Sequence, residues 1–237
     1  PVLDIRFEGA HDIIGDRAFG DKAEEVIAVV APFLAALERH GLLTVMKHIP
    51  GHGRALVDSH HYLPRVAAKR ALLEQTDFLP FQFFAHQAET RVPFAMTAHV
   101  VYEDIDPLWP ATLSPLVMAM IRDHIGFNGL VMTDDLSMKA LAQLEGKTMA
   151  DRVRLALAAG CDLMLHCNGD RAEMTAVVET IRASDWRPAD MEKKYQALAG
   201  YYEKIKSTSP TPLDERARLS AYQEMESLLL PYWQARH

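Results

Sequence analysis

The chain has 237 residues, of which 49% are hydrophobic and 24% charged, and its formal net charge is -7 at pH 7. This length and composition predict one globular domain with a full hydrophobic core. The acidic balance excludes nucleic acid as the main partner, and no apolar stretch approaches the roughly 20 residues that a membrane-spanning helix needs. The two cysteines, Cys161 and Cys167, are predicted to be buried free thiols, which fits a reducing cytoplasm.

Five short apolar runs are predicted to be strands, and amphipathic helical patterns lie between them. The strands are predicted at residues 2–5, 44–49, 94–100, 130–133 and 162–167. The helices are predicted at 21–40, 67–88 (with Pro80 as a candidate break), 114–124 (with Ser114 as N-cap) and 148–159 (ending at Gly160). The runs do not alternate cleanly, which is typical of strands buried on both faces of a parallel sheet. Strands that alternate with helices indicate an α/β fold built from right-handed βαβ units.

After Asp170 the pattern becomes wholly helical. Helices are predicted at residues 171–183, 188–206 and 214–230, with a linker rich in Ser, Thr and Pro at 207–212. We interpret residues 171–237 as helices that pack on the outside of a single catalytic domain spanning residues 1–237.

A polar segment after the second predicted strand is the most informative part of the chain. Its prolines and glycines exclude a helix, so Lys47 and His48 are expected at the strand end and Asp58 and His60 on a loop. Residues two apart in an extended loop point the same way. Asp58 and His60 can therefore pair as a general acid/base dyad, although an isolated pair of this kind is more often a polar surface loop.

Two carboxylates, Asp134 and Asp135, follow the fourth predicted strand. A carboxylate at the C-terminal end of a barrel strand is typical of catalysis, and the neighbouring carboxylate would tie down the backbone. The alternative is that both cap the following helix, because Asp is a favourable N-cap residue.

Three basic side chains are candidates for binding a ligand. Lys47 and His48 suit a polar, hydroxyl-rich ligand, and Arg17, which follows the first predicted strand, can reach an anionic or amide oxygen. Taken separately, each is more often a surface cation or a hydrogen-bonded core histidine.

Cofactor motifs are weak or absent. Dinucleotide and phosphate-loop fingerprints do not occur, so no cofactor is predicted. The alternative is a zinc or iron site that combines a histidine with Asp134. His48 and His52 are four residues apart, but Pro50 between them prevents the helix on which they would share a face. The candidate ligands for such a site are His48, His60 and His61.

Three motifs in this order resemble the bacterial β-N-acetylglucosaminidases of glycoside hydrolase family 3. They are residues 47–53 (Lys-His-Ile-Pro-Gly-His-Gly), 58–60 (Asp-Ser-His) and 133–138 (Thr-Asp-Asp-Leu-Ser-Met), with shorter matches at 1–5, 14–20 and 98–100. The resemblance runs from residue 1 to about residue 170.

The resemblance implies a (β/α)8 TIM-type barrel and a retaining mechanism that removes terminal β-linked N-acetylglucosamine. Asp134 matches the nucleophile, which forms a covalent glycosyl-enzyme. His60 matches the acid/base, with Asp58 as its dyad partner, in place of the usual second carboxylate. The positions that match substrate binding are Arg17, Lys47 and His48.

The resemblance also implies a biological role. Relatives of this type remove N-acetylglucosamine from muropeptides during peptidoglycan recycling in the cytoplasm, without a nucleic-acid or membrane partner. Alternatives are a β-glucosidase or a glycoside phosphorylase of the same family, and a sugar-binding pseudoenzyme.

One departure concerns the start of the chain. Family members carry about a hundred residues before the position of Pro1, which supply the first strands of a barrel that five strands cannot close. We expect the chain to be part of a longer polypeptide, cleaved, disordered at its start, or completed by a partner segment. An open edge and exposed apolar lumen would leave the chain alone inactive or prone to aggregate.

Overall fold

The computed structural model describes residues 1–87 and 92–184, together with isolated positions beyond residue 184. The strands in chain order are β1 (Val45–Ile49), β2 (Arg65–Val66), β3 (Phe94–Thr97), β4 (Val101–Tyr102) and β5 (Leu130–Met132). The helices are α1 (Ala23–Arg39), α2 (Arg70–Gln75), α3 (Leu79–His86), α4 (Pro115–Asp123), α5 (Lys139–Ala142), α6 (Met149–Ala159) and α7 (Arg171–Ala183), and two 3-10 turns span Gly15–Arg17 and Ala111–Leu113.

A parallel sheet forms the centre of the fold, with the strand order β1-β3-β5. Val2 forms a parallel bridge with Lys47 on one edge, and Leu163 forms a parallel bridge with Met132 on the other. The five predicted strand regions therefore lie side by side in chain order, the outer two as single bridges. This confirms the α/β prediction. The sheet is open within the described residues, and the eight-stranded barrel stays a prediction.

The helices begin and end where the local sequence favours it. Ser114 caps α4 by accepting a hydrogen bond from the amide of Val117, and Thr148 and Asp151 form a capping box at the start of α6. Gly160 ends α6 in the left-handed conformation, with φ of 110°. Because each crossover helix ends sharply, the strand that follows re-enters the same sheet.

The helix predicted at residues 67–88 is two helices, α2 and α3, separated at Thr76. Pro80 lies in the first turn of α3, where a missing amide hydrogen breaks no helical bond, so the proline is not the point of the break. The paired strands β2 and β4 escaped prediction because two residues carry no periodicity.

One continuous hydrophobic core joins the sheet to its helices. Buried strand residues such as Met46, Ala95 and Val131 belong to the same cluster as Val30 of α1 and Phe81 of α3. No helix among the described residues is long and apolar enough to cross a membrane.

The two cysteines are free but differ in environment. Cys161 is buried, and burial raises the pKa of its thiol to about 12. Cys167 is exposed, so the prediction of a buried thiol is wrong there. Its position explains the difference, because Cys167 follows the last bridged residues and lies outside the sheet.

Of the predicted C-terminal helices, the first is present as α7, which packs against α6. The helices predicted at residues 188–206 and 214–230 lie outside the described residues, apart from isolated positions. Their packing on the domain stays a prediction.

The segment that follows β1 lies against the first edge of the sheet. A β-carbon added to Gly53 would overlap the carbonyl oxygen of Ile5, so only glycine allows this close approach. This close approach fixes the position of the start of the loop that carries Asp58 and His60.

We expect Gly53→Ala to lower the free energy of unfolding by about 1–3 kcal/mol, because the backbone must move to admit the methyl group. Gly200→Ala is the matched control, since a β-carbon there meets no atom of the described part of the chain within 4 Å. Urea denaturation monitored by circular dichroism gives the free energy of unfolding of both variants. Equal stability of the two variants would show that the close approach at Gly53 is not required.

Candidate functional site

A cavity of about 190 Å³ opens at the C-terminal ends of the parallel strands, which is where α/β folds place their sites. It brings together five of the six side chains predicted from the sequence: Arg17, Lys47, His48, His60 and Asp134. The sixth, Asp58, lies behind His60. The rest of the lining is Ile13, Ile14, His52, Ser59, Met96 and Met138.

Asp134 and Asp135 have different environments at the end of β5. Asp134 lines the cavity, whereas Asp135 accepts hydrogen bonds from the amide and hydroxyl of Ser137 and from the amide of Cys167. The N-cap residue of α5 is Met138, so neither carboxylate caps that helix. One carboxylate is free to act in the cavity while the other fixes the surrounding loops.

The environment of Asp134 favours its ionised form. Burial raises the pKa of this carboxyl group, but the nearby rings of His99 and His48, with the amide of Asp135, more than offset burial and hold the pKa below its ordinary value. Asp134 is therefore an anion at neutral pH, as a nucleophilic carboxylate must be.

His60 and Asp58 form a hydrogen-bonded pair on the loop after β1. Nδ1 of His60 lies 2.8 Å from Oδ1 of Asp58, and the backbone amide of His60 donates to the same oxygen at 2.7 Å. An ionised carboxylate only accepts, so Nδ1 is the donor and Nε2 carries the lone pair in the neutral ring. Nε2 has no hydrogen-bond partner among the described residues, and it is the atom available to a ligand.

Burial is the largest single influence on the pKa of Asp58 and raises it, but the hydrogen bonds from His60 and the charge of that ring together lower it overall. Asp58 therefore stays ionised while His60 gains or loses a proton.

The buried carboxylate of Asp4 organises the strand end opposite Asp134. It accepts from Nδ1 of His48 at 2.7 Å, from the amide of His48 at 3.2 Å and from the amide of His52 at 2.6 Å. Burial raises the pKa of Asp4, but His48 and then His52 bring it below its ordinary value. Because His48 donates from Nδ1, its Nε2 is left for the cavity.

Sequence reasoning missed Asp4, although a charged residue inside the apolar run Val2–Ile5 is a detectable signal. The strand-end rule that selected Asp134 applies equally to Asp4. Residue type alone could not show that its partners lie 44 and 48 positions away.

His52 connects the Asp4 network to the loop of His60. It is 2% exposed, and its Nε2 lies 2.9 Å from Oγ of Ser59. Burial and the neighbouring His48 lower the pKa of His52 to about 4, so this ring is neutral at physiological pH. The serine between Asp58 and His60 is thereby attached to the protein interior.

His99 is a second missed residue, at the end of β3. Its Nε2 lies 3.0 Å from the carbonyl oxygen of Asp135 and its Nδ1 lies 2.7 Å from the hydroxyl of Thr112. Burial lowers the pKa of His99, so the neutral ring donates from Nε2 and accepts at Nδ1. It steadies the segment that carries Asp134, and the strand-end rule could have identified it.

Arg17 and Lys47 supply positive charge at the cavity. Arg17 belongs to the 3-10 turn Gly15–Arg17, and its guanidinium donates to the carbonyl oxygen of Ile13. Lys47 is half-buried, and its backbone joins β1 to the first edge. Both side chains line the cavity that contains Asp134.

The zinc or iron alternative lacks a ligand set. Within residues 1–87, 92–184 and the isolated positions beyond, no three His, Cys, Asp or Glu side chains are placed to hold one metal ion.

The family model "Glycosyl hydrolase family 3 N terminal domain" matches residues 1–199 of this chain. A relative from Alkalilimnicola ehrlichii named Beta-hexosaminidase is 42% identical over 173 residues, which cover 73% of this chain and 48% of the relative. The chain thus spans about half the length of this relative.

Two solved structures are similar in fold and sequence. A family 3 β-N-acetylglucosaminidase from Paenibacillus aligns with a TM-score of 0.74 and 27% identity, covering 96% of this chain and 44% of the other. NagZ from Neisseria gonorrhoeae, in complex with N-trifluoroacetyl-D-glucosamine, aligns with a TM-score of 0.74 and 28% identity, covering 96% of this chain and 62% of the other.

The low pKa of His52 predicts a pH dependence of stability. The unfolded chain binds a proton at this ring below about pH 6.5 and the folded chain only below about 4, so His52 makes stability fall as the pH falls through that window. The loss amounts to about 2–3 kcal/mol between pH 7 and 4. We expect the free energy of unfolding of His52→Gln, measured by urea denaturation, to lack this part of the decrease between pH 7 and 4.

Ser59→Ala is the matched control, because it removes the hydroxyl that contacts His52 but keeps the imidazole. It should retain the pH dependence of the unaltered protein. If His52→Gln also retained it, a buried neutral ring at this position would be contradicted.

Proposed function

The chain belongs to glycoside hydrolase family 3, and from that premise we propose that it is the catalytic part of a retaining β-N-acetylhexosaminidase. The observation that carries the proposal is that Asp134, which follows β5, and His60, on the loop after β1, line one cavity. A nucleophile and a proton donor that face the same space are what cleavage of a glycosidic bond requires.

Asp134 is the proposed nucleophile. Its carboxylate oxygen attacks the anomeric carbon while the glycosidic oxygen departs, which forms a covalent glycosyl-Asp intermediate. Two observations support this role: the depressed pKa keeps Asp134 ionised, and Asp134 lines the cavity whereas Asp135 holds the backbone of Ser137 and Cys167.

His60 is the proposed acid/base, with Asp58 as its partner. Protonated Nε2 gives its proton to the departing oxygen, and neutral Nε2 then takes a proton from the water that releases the sugar. An imidazole in this role avoids a second negative charge beside Asp134. The hydrogen bond from Nδ1 to Asp58 fixes the ring orientation for both steps.

The remaining polar groups of the cavity suit a sugar. Arg17, Lys47 and His48 offer donors to hydroxyl and amide oxygens, and the Asp4 hydrogen bond orients the ring of His48. A named family relative is a Beta-hexosaminidase and a fold relative holds an N-acylglucosamine analogue. We therefore assign terminal β-linked N-acetylglucosamine as the substrate group.

The biological setting belongs to the same proposal. The resemblance to bacterial relatives supports release of N-acetylglucosamine from muropeptides in cytoplasmic peptidoglycan recycling, within a TIM-type barrel. Since the chain spans about half of a named relative, activity should be measured on the complete natural polypeptide that contains this sequence.

We expect Asp134→Ala to reduce turnover of an aryl β-N-acetylglucosaminide by at least about 10³-fold, because Asp134 is the one carboxylate among the described residues that line the cavity. Isothermal titration with N-acetylglucosamine should still show binding, which distinguishes lost chemistry from lost folding. Unchanged turnover would remove the enzymatic assignment of this cavity.

We expect His60→Ala to reduce kcat/KM by about 10²- to 10⁴-fold for substrates with a poor leaving group, because proton transfer is lost. His61→Ala is the matched control, since this exposed imidazole lies beside His60 and its Nε2 is 4.0 Å from Asp58. Equal losses in the two variants would contradict the assignment of His60.

A further inference from the structure

The loop that carries His60 must cross the sheet to reach its target. It leaves the end of β1, whereas Asp134 follows β5, and β3 lies between these two strands. A loop rooted on one side of the cavity keeps its tip over the other side only if something there holds it.

The tip of this loop is a compact turn. The carbonyl oxygen of Asp58 accepts from the amide of His61 at 3.0 Å and from the amide of Tyr62 at 2.8 Å. These bonds, with those between Asp58 and His60, make residues 58–62 move together. A contact at one point of the turn therefore influences the position of the His60 ring.

The inner side of the turn is anchored by Ser59, which is 3% exposed and contacts Nε2 of His52. This anchor lies at the start of the turn. It leaves the end of the turn, at His61 and Tyr62, exposed to solvent.

The outer side of the turn is held by the side chain of Gln143, the residue that ends α5. Its Nε2 donates to the carbonyl oxygen of His61 at 2.7 Å, and its Oε1 accepts from the amide of Leu63 at 3.2 Å. One amide group thus binds the backbone on both sides of Tyr62. Because α5 follows the Asp134 segment, this contact joins the His60 loop to the far side of the cavity.

We propose that Gln143 is a positioning residue that clamps the turn so that His60 faces Asp134. The inference rests on the proposed function, because it assigns Gln143 a role through the acid/base. Nothing in the chemistry of the reaction requires a glutamine here. The role follows from its two backbone hydrogen bonds and from its place across β3.

Hydrogen–deuterium exchange on the complete natural polypeptide tests the clamp without reference to activity. In Gln143→Ala we expect the amides of residues 58–63 to exchange roughly 3- to 10-fold faster, the effect of losing exposed hydrogen bonds, with β1 unchanged. Gln143→Glu keeps the acceptor for Leu63 but loses the donor to His61, and should give a smaller increase. Gln75→Ala, at an exposed glutamine in α2, is the matched control.

Leaving-group dependence tests the consequence for catalysis. We expect Gln143→Ala to lower kcat/KM roughly 3- to 10-fold for a 4-methoxyphenyl β-N-acetylglucosaminide, which needs protonation, and not for the 2,4-dinitrophenyl compound, which does not. A general loss of stability would lower both values equally. Unchanged exchange at residues 58–63, or equal losses with both substrates, would overturn the proposal.

Failure of the proposed function is distinguishable. If Asp134→Ala retained turnover, the catalytic assignment would fail and the positioning role would fail with it. The exchange data would still decide whether Gln143 holds the loop.

Discussion

The carboxylate of Asp4 is fully buried, and a buried charge must be paired if the fold is to tolerate it. Its partners are the ring and amide of His48 and the amide of His52. The pairing of Asp4 therefore fixes the strand end that presents His48, a proposed sugar-binding residue. It also fixes the start of the loop that carries His60, the proposed acid/base. Loss of the carboxylate would leave three buried donors without an acceptor, at a cost of about 1–3 kcal/mol for each.

The charged groups around the cavity are arranged so that the proposed nucleophile, Asp134, and the proposed acid/base, His60, keep different roles. Asp134 has a lowered pKa and is ionised at neutral pH, and Asp58, the carboxylate that bonds to His60, does not line the cavity. His52 is kept neutral by burial, so this ring adds no positive charge near Asp4. The states of Asp134 and His52 are thus set by their surroundings.

Much of the fold could be predicted because it depends on local patterns. The strand cores, the Ser114 cap of α4 and the glycine at the end of α6 depend on neighbours within a few positions, and they lie where predicted. The break between α2 and α3 lies at Thr76 rather than at the candidate Pro80, and the short pair β2–β4 was not predicted. Both depend on tertiary contacts that override a weak local signal.

The candidate site also divides into residues that local sequence could predict and residues that depend on tertiary contacts. Asp134, Lys47 and His48 were selected because strand ends of a parallel sheet meet at one edge, and they line one cavity together with His60 and Arg17. Asp4, His52 and Gln143 were missed because their roles consist of contacts with distant residues, up to 82 positions apart. The sequence contains those residues but not their pairing.

The assignment of Asp134 as nucleophile is tested most directly by covalent trapping. The complete protein would be inactivated with a 5-fluoro-N-acetylglucosaminyl fluoride, digested with trypsin and analysed by tandem mass spectrometry. We predict one added sugar on the peptide spanning residues 123–139, with fragment ions that place it on Asp134 rather than Asp135. A sugar attached to any other residue, or inactivation without a covalent adduct, would contradict the account.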